Sequence, residues 1–281
     1  MPVRPATKAD LPIMAAIMAA SFGPDPLFQV MFPHQSQHPE AFLQAFEEYL
    51  WLSWYDYGRC LLVSYHKTST EASQSQQYGK TEEKARETEP LLFRNARLIV
   101  RKNQVLTGVA ELERVGRGWE HIYGIWGLLD PRLLIRPLLA AFYTFRRRVY
   151  GNEAAAQATR DNPSPLTYWN FLPSIIPFSS PFFSAPHRQR HWSLETLAIH
   201  PDHQGKGYGN KLVKEALQVA KTDPVGDFPV CVIAADGKEG FYEKCGFRHP
   251  VGRLSETIDA SGGANPLRAN GVGGGAVLWT R

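Results

Sequence analysis

The spacing of apolar side chains divides the first part of the chain into short helices and strands. Val3–Ala6 is typical of a short strand, and apolar residues recur every three or four positions over Leu11–Met18, which predicts a helix. The run Gly23-Pro24-Asp25-Pro26 ends that helix. A second helix is expected over Pro39–Trp54, because one of its sides is apolar and rich in aromatic residues.

Strand signals follow, interrupted by a polar stretch. Cys60–Tyr65 predicts a strand, and Arg97–Arg101 with Val105–Arg114 predicts a hairpin. Residues 68–90 between them are rich in Ser, Thr, Gln, Glu and Lys, a composition that buries little surface. We expect this segment to be a disordered or mobile loop.

Residues 117–190 have the least regular pattern and are expected to be an insertion. A helix is predicted near Leu133–Tyr150, followed by an irregular run rich in proline and aromatic residues. The apolar segment Ile122–Phe145 contains Asp130 and two arginines as well as two prolines, so it does not meet the requirement for a membrane-spanning helix. No membrane partner is expected.

Strands and helices alternate regularly from Leu194 onward. Leu194–Ile199 predicts a strand, a glycine-rich loop leads into a helix that ends near Lys221, and Val230–Ala234 predicts the next strand. A short helix around Phe241 and a final strand pair complete the chain. This succession favours an α/β fold, and we expect residues 1–281 to form a single domain.

Composition and charge narrow the classes of partner. The 281 residues are 43% hydrophobic and 21% charged, as in ordinary globular proteins. The net charge is +4, but the basic residues are scattered, so nucleic acid is not an expected partner. The three cysteines form no CxxC pair, which indicates free thiols in a reducing, cytoplasmic compartment and no metal site.

The glycine-rich loop is the first candidate for chemistry. Gln204-Gly205-Lys206-Gly207-Tyr208-Gly209 lies between a predicted strand and a predicted helix. Glycines allow close approach of the backbone, and N–H groups at a helix start bind phosphate oxygens. The alternative is a simple tight turn. The loop fits neither a Walker A sequence nor a dinucleotide-binding fingerprint in a paired βαβ unit.

Three motifs in this order resemble the GNAT superfamily of acyl-CoA-dependent N-acyltransferases. They are Leu197-Ala198-Ile199-His200-Pro201, Gln204-x-x-Gly207-x-Gly209 and Phe241-Tyr242-x-x-x-Gly246-Phe247. The start, Val3-Arg4-Pro5-Ala6-Thr7-x-x-Asp10-Leu11-Pro12, is similar to the first strand and helix of the same superfamily. Residues 66–190 carry no motif of this kind.

The resemblance implies a fold and a cosubstrate. The fold would be a mixed, mostly antiparallel central sheet with helices on both faces. The strand that ends at Ile199 would splay away from the next strand, Val230–Ala234, and the gap between them would receive acetyl-CoA. The residues that would bind acetyl-CoA are Leu197, Ala198, Ile199, Gln204, Gly205, Lys206, Gly207, Tyr208, Gly209 and Asn210.

Acetyl transfer to an amine also needs a base and an acid. An alkylamine has a pKa near 10, so its proton must be removed. Glu195 is the candidate base, at a position where a related enzyme places a histidine; the alternative is an exposed or ion-paired strand residue. Tyr242 is the candidate proton donor to the departing thiolate, as the resemblance implies, or else a core tyrosine. The N–H of Leu197 is the candidate oxyanion donor.

The aromatic residues over 26–33 and within the insertion suggest a covered pocket for a small amine, unless they only pack the insertion on the core. The expected function is therefore acetyl transfer from acetyl-CoA to the amine of a small molecule by direct attack. The alternatives are a protein lysine or N-terminal acetyltransferase, and a sensor that binds acyl-CoA without turnover.

Overall fold

The computed structural model describes residues 2–67, 100–101, 104–116, 130–151, 153–162, 166–258 and 262–281. One sheet runs through this part of the chain. Its strands are β1 (Val3–Pro5), β2 (Arg59–Lys67), β3 (Val100–Arg101), β4 (Gln104–Val115), β5 (His191–Ile199), β6 (Val230–Ala234), β7 (His249–Arg253) and β8 (Ala276–Trp279). The predicted loop at 68–90 lies outside the described residues, as do 97–99 of the predicted hairpin.

The sheet is mixed and mostly antiparallel. Its order is β1-β2-β4-β5-β6-β8-β7, and β3 pairs with β4. Among the described strands only β5 and β6 pair in parallel. That pairing runs from Trp192 opposite Val230 to Leu194 opposite Val232 and then stops, although both strands continue. The predicted sheet with a splayed strand pair is confirmed.

Helices cover both faces of the sheet. Those in the described chain are α1 (Leu11–Phe22), α2 (Pro26–Met31), α3 (Pro39–Trp54), α4 (Arg132–Tyr150), α5 (Glu153–Asp161), α6 (Tyr168–Phe183), α7 (Tyr208–Lys221), α8 (Glu239–Cys245) and α9 (Pro266–Ala269). One face packs against α1 and α3, and farther along the sheet against α6. The other face packs against α7 and α8. None of the described helices is long and apolar enough to cross a membrane.

The first helix is buried more completely than its apolar spacing predicts. Besides Met14 and Ile17, the alanines at 15, 16, 19 and 20 are buried, because α3 covers the side that the sheet does not. The tight turn after α1 also leads directly into a helix that the sequence reading missed. Asp25 caps α2 by accepting a hydrogen bond from the N–H of Leu27 at 2.9 Å, with Pro26 as the first helical residue.

The expectation of an irregular run before β5 is wrong for α6. This helix contains Pro173, Pro177 and Pro181. Packing overrides the local preference, since Ile175 and Phe178 are buried against strands β6 and β8. The predicted helix within the insertion is confirmed as α4, whereas residues 117–129 lie outside the described chain. That residues 1–281 form a single domain stays a prediction.

Candidate active site

A β-bulge and the splay of the sheet meet at Glu195. Along β4, Glu111 is opposite Thr196 and Leu112 is opposite Leu194, so Glu195 is the extra residue on β5. The pairing of β5 with β6 ends at the same point, after Leu194. From Glu195 to Ile199 the β6 side of β5 therefore has no neighbouring strand in the described chain. This opening exposes one edge of the strand that carries the predicted cofactor residues.

The glycine-rich loop presents a row of unused backbone donors. Gly205 and Gly207 have φ angles of +72° and +79°, and a Cβ at either position would point into open space. Gly207 is the N-cap of α7. Within the described chain, none of the six N–H groups from Gly205 to Asn210 has a hydrogen-bond acceptor. Free N–H groups at the start of a helix are suited to bind an anion, so the loop keeps its predicted role as a phosphate site.

Side-chain bonds fix the shape of this loop. Gln204 Nε2 donates to the carbonyl of Ile199 at 3.0 Å, which joins the loop to the end of β5. Lys206 Nζ donates to the carbonyl of Asp202 at 2.7 Å. These bonds hold the loop in place without using its backbone donors.

Two further contacts join the loop to α8. A Cβ at Gly209 would lie 3.2 Å from the ring of Phe241, so this glycine allows α7 and α8 to pack closely. Asn210 Nδ2 donates to Sγ of Cys245 at 3.4 Å. Gly209 therefore has a packing role in addition to the phosphate contact expected of its N–H group, which stays a prediction. The thiol of Cys245 is buried, and burial raises its pKa, as suits a core residue rather than a nucleophile.

Tyr242 is half-buried on the α7 side of the opening. Its ring packs edge-on against Phe241 and Phe247, with centroids 5.0 and 5.9 Å apart. Burial raises the pKa of its hydroxyl, to which the nearby Cys245 adds. The hydroxyl therefore stays protonated at neutral pH and can donate to an anion. Within the described chain it makes no hydrogen bond.

Glu195 is exposed at the bulge, and its charge acts on the face of the sheet opposite to Tyr242. Its charge raises the pKa of Tyr49 and of Tyr168, although burial is the main cause of both shifts. Both tyrosines lie on the α3 and α6 side, whereas Tyr242 packs with the α7 side. The structure thus places the two predicted catalytic side chains on opposite faces near the same opening.

A buried ionic network lies next to Glu195 and was missed by the sequence reading. Arg59 Nη1 donates to Glu111 Oε1 at 2.7 Å, and Arg59 Nη2 donates to Glu113 Oε2 at 2.5 Å. The Tyr49 hydroxyl donates to Glu111 Oε2 at 2.6 Å. The side chain of Glu111 is fully buried. Two acidic residues spaced by two within the largely buried strand β4 are the sequence signal that could have revealed this network.

Glu113 has the most perturbed carboxyl in this network. Burial raises its pKa to about 7, against the attraction of Arg59 and with added repulsion from Glu195 and Glu111. Its side chain keeps 29% of its surface exposed, so it can exchange protons with water. A carboxyl that titrates near neutral pH beside the sheet opening is suited to accept a proton.

Two histidines at the ends of β5, His191 and His200, have structural roles. His191 Nδ1 bonds the carbonyl of Arg188 at 2.6 Å, and the ring lies between Phe183 and Trp279. Burial lowers the His191 pKa to about 4, against that hydrogen bond, so the ring is neutral at pH 7. His200 Nδ1 accepts from the N–H of Asp202 at 3.3 Å, which is a capping role.

An aromatic cluster covers the Glu195 side of the opening. Tyr168, the first residue of α6, has its ring about 6 Å from four others. Those rings belong to Phe28, Phe32, Phe46 and Tyr49. The predicted aromatic residues of 26–33 and of the insertion are therefore brought together near Glu195. The described residues include no group of three His, Cys, Asp or Glu side chains that could hold a metal.

Comparison with known proteins identifies the segment that carries these motifs. Residues 181–249 match the acetyltransferase (GNAT) domain family. Glucosamine 6-phosphate N-acetyltransferase of Schizosaccharomyces pombe is 36% identical over 53 residues, which are 19% of this chain and 46% of that protein. The chain thus spans about half the length of this curated relative. The resemblance predicted from the sequence is confirmed.

Solved structures align over nearly the whole chain at low identity. One described as histone acetyltransferase HPA2 and related acetyltransferase from Corynebacterium glutamicum is 17% identical, with 99% of this chain and 94% of that chain covered and a TM-score of 0.49. A mosquito arylalkylamine N-acetyltransferase like 5b is 11% identical, with 99% and 96% covered and a TM-score of 0.41.

Proposed function

We propose that this chain, whose residues 181–249 are a GNAT acetyltransferase domain, transfers an acetyl group from acetyl-CoA to the amine of a small molecule. One observation carries the proposal. The splay after Leu194 opens beside six unsatisfied N–H groups at Gly205–Asn210, so a groove for an extended arm ends on a site for an anion. A nucleotide thioester such as acetyl-CoA has both parts: a pyrophosphate for the anion site and an extended thioester-bearing arm for the groove.

In this proposal the cosubstrate lies along β5 and the loop. The N–H groups from Gly205 to Asn210 bind the pyrophosphate, helped by the dipole of α7. The free edge of β5 from Leu197 to Ile199 bonds the amides of the arm. Gln204 supports this arrangement indirectly, because its side chain fixes the loop to Ile199.

The chemical roles follow from the two faces of the opening. Acetyl-CoA supplies an activated thioester, and the amine attacks its carbonyl carbon directly while the C–S bond breaks. Glu195 accepts the amine proton through water, and Glu113, with its pKa near 7, passes it on to solvent. The N–H of Leu197 stabilises the oxyanion, and the protonated hydroxyl of Tyr242 donates to the departing sulfur.

The aromatic cluster around Tyr168 supports a small acceptor. Rings from α2, α3 and α6 cover the Glu195 side, which favours a lined pocket over an open groove for a peptide. The similarity to an N-acetyltransferase over 53 residues supports nitrogen as the attacking atom.

Release of free CoA tests the proposal against its alternatives. The full chain is incubated with acetyl-CoA and separate panels of small amines and of lysine-containing and N-terminal peptides. We expect turnover with at least one small amine and only slow turnover with peptides. Faster turnover with peptides would assign a protein acetyltransferase. Calorimetric binding of acetyl-CoA without turnover in either panel would assign a sensor.

A further inference from the structure

The apolar side of α4 faces away from the protein. Of the thirteen large hydrophobic side chains that are exposed in the described chain, eight lie on this helix. Five of these recur at spacings of three or four residues, and each is more than half exposed: Leu134, Leu138, Phe142, Phe145 and Val149. At 100° per residue they fall within an arc of about 80°, so they form one continuous stripe. We call these five residues the α4 stripe.

The opposite side of α4 fixes the helix to the protein. Tyr143 is buried, Arg147 pairs with the buried Glu48 of α3, and Arg136 pairs with Asp56 at 3.2 Å. The helix is therefore anchored by its polar side. The α4 stripe is left without a covering element in the described chain.

The charge on α4 has one sign. The helix contains five arginines and no acidic residue: Arg132, Arg136, Arg146, Arg147 and Arg148. Arg146 and Arg148 are exposed and, at 100° per residue, lie about 40° to either side of the α4 stripe. An exposed apolar stripe flanked by cations is the arrangement of helices that lie in the plane of a bilayer with their polar residues at the headgroups.

We propose that the α4 stripe docks on the surface of an anionic lipid bilayer. The stripe enters the boundary between headgroups and acyl chains, while Arg146 and Arg148 contact lipid phosphates or carboxylates. This arrangement differs from a helix that crosses the bilayer. It also revises the expectation from the sequence that no membrane takes part.

Charge selects this partner over a second copy of the chain. Two α4 helices paired through their stripes would bring the flanking Arg146 and Arg148 of both copies, four arginines in all, along one interface, without an acidic residue on either helix. Like charges in contact oppose such pairing. An anionic bilayer supplies both the apolar phase and the countercharge.

Vesicle sedimentation with the full chain tests the proposal. One set of vesicles contains phosphatidylcholine alone, and the other contains phosphatidylcholine with phosphatidylserine. We expect binding to the anionic vesicles, at least about tenfold weaker binding to the neutral ones, and a decrease at high salt. The variant L138S/F142S/F145S should bind at least about tenfold more weakly, and so should R146E/R148E.

Two controls make the result specific. Ile258→Ser removes a side chain that is 74% exposed outside α4, and this variant should bind as the parent does. Because the substituted positions are exposed, each variant should also keep the parent's melting temperature. Equal binding of the parent and both α4 variants overturns the proposal, as does no binding to anionic vesicles. A concentration-dependent dimer in sedimentation velocity that L138S/F142S/F145S abolishes, without vesicle binding, would instead assign a second copy.

Discussion

Burial and position determine what single side chains at the sheet opening can do. The hydroxyl of Tyr242 is held protonated by burial, whereas Glu195 is exposed on a bulge. The carboxyl of Glu113 lies on β4 and pairs with Arg59 in the ionic network. Its pKa is about 7. In the proposed function, these side chains supply one proton donor and two proton acceptors near β5.

Removing only the Tyr242 hydroxyl should slow the release of thiolate. Tyr242→Phe keeps the ring contacts with Phe241 and Phe247, so the fold should survive. We expect kcat to fall roughly 10²-fold, which is the low end for general acid catalysis. The effect is at the low end because a thiol has a pKa near 8.5, so its thiolate can leave without being protonated first. Steady-state kinetics measures this. Cys245→Ala is the matched control and should retain kcat; an unchanged kcat in Tyr242→Phe returns that residue to a packing role.

The two carboxyls should differ in the shape of their pH profiles. Glu195→Gln should lose activity at neutral pH and regain it toward the pKa of the amine, where the acceptor is already neutral. In the parent, activity should rise through about pH 7 as Glu113 loses its proton, and Glu113→Gln should lack that rise. The profile of kcat/KM measures both. A uniform decrease at every pH in Glu195→Gln would exclude it as the base.

At the scale of elements, spacing predicted the regular parts and packing decided the rest. The pattern located α3 and α7 almost to the residue because one side of each is apolar, and it located β6 because that strand is a short continuous apolar run. It failed at α6, where prolines argue against a helix that the burial of Ile175 and Phe178 stabilises. Glu111 and Glu113 were a sequence signal for the ionic network, but their pairing with Arg59 depends on the register of β2 with β4, which the sequence does not show.

Replacing Gly207 by Ala should weaken the binding of acetyl-CoA, whereas the same change at Gly271, outside the loop, should not. Gly207→Ala puts a Cβ beside the row of free N–H groups at a φ of +79°, and we expect acetyl-CoA to bind roughly tenfold more weakly. Gly271→Ala has the same backbone strain, with a φ of +68° and open space, but lies outside the loop. Calorimetry should show normal affinity for that control. Equal affinities in both variants would refute the loop assignment.

At the scale of the whole molecule, one buried histidine should couple stability to pH. Burial lowers the pKa of His191 from 6.5 to about 4. Between these pH values the unfolded chain binds a proton at this residue and the native protein does not. This contribution to stability is fully present above about pH 6.5 and is lost as the pH falls toward 4. Between pH 7 and pH 5 the loss is about 2 kcal/mol.

The variant His191→Phe tests this coupling. Phe keeps the ring between Phe183 and Trp279 and removes the titrating nitrogen. Denaturant unfolding at pH 7 and pH 5 should show a smaller acid loss in the variant than in the parent. Equal losses would mean that His191 is not the sensitive group.

The prolines of α6 bear on the dynamics of the protein as well as on its shape. Each proline inside a helix lacks an N–H and costs an isolated helix about 3 kcal/mol, and α6 has three. Side-chain hydroxyls compensate only in part: Ser180 Oγ, for example, donates to the carbonyl of Pro177 at 3.4 Å. The segment therefore owes its helical form to the strands on which Phe178 and Ile175 pack.

A helix of this kind should open before the sheet does. The remaining amides of α6 should exchange their hydrogens through a local opening whose free energy lies well below that of global unfolding, while those of β4 and β5 exchange only when the whole sheet separates. Since Tyr168 begins α6, each such opening would also uncover the aromatic cluster beside Glu195. The exchange rate of α6 amides would then report how often the aromatic cluster beside Glu195 is uncovered.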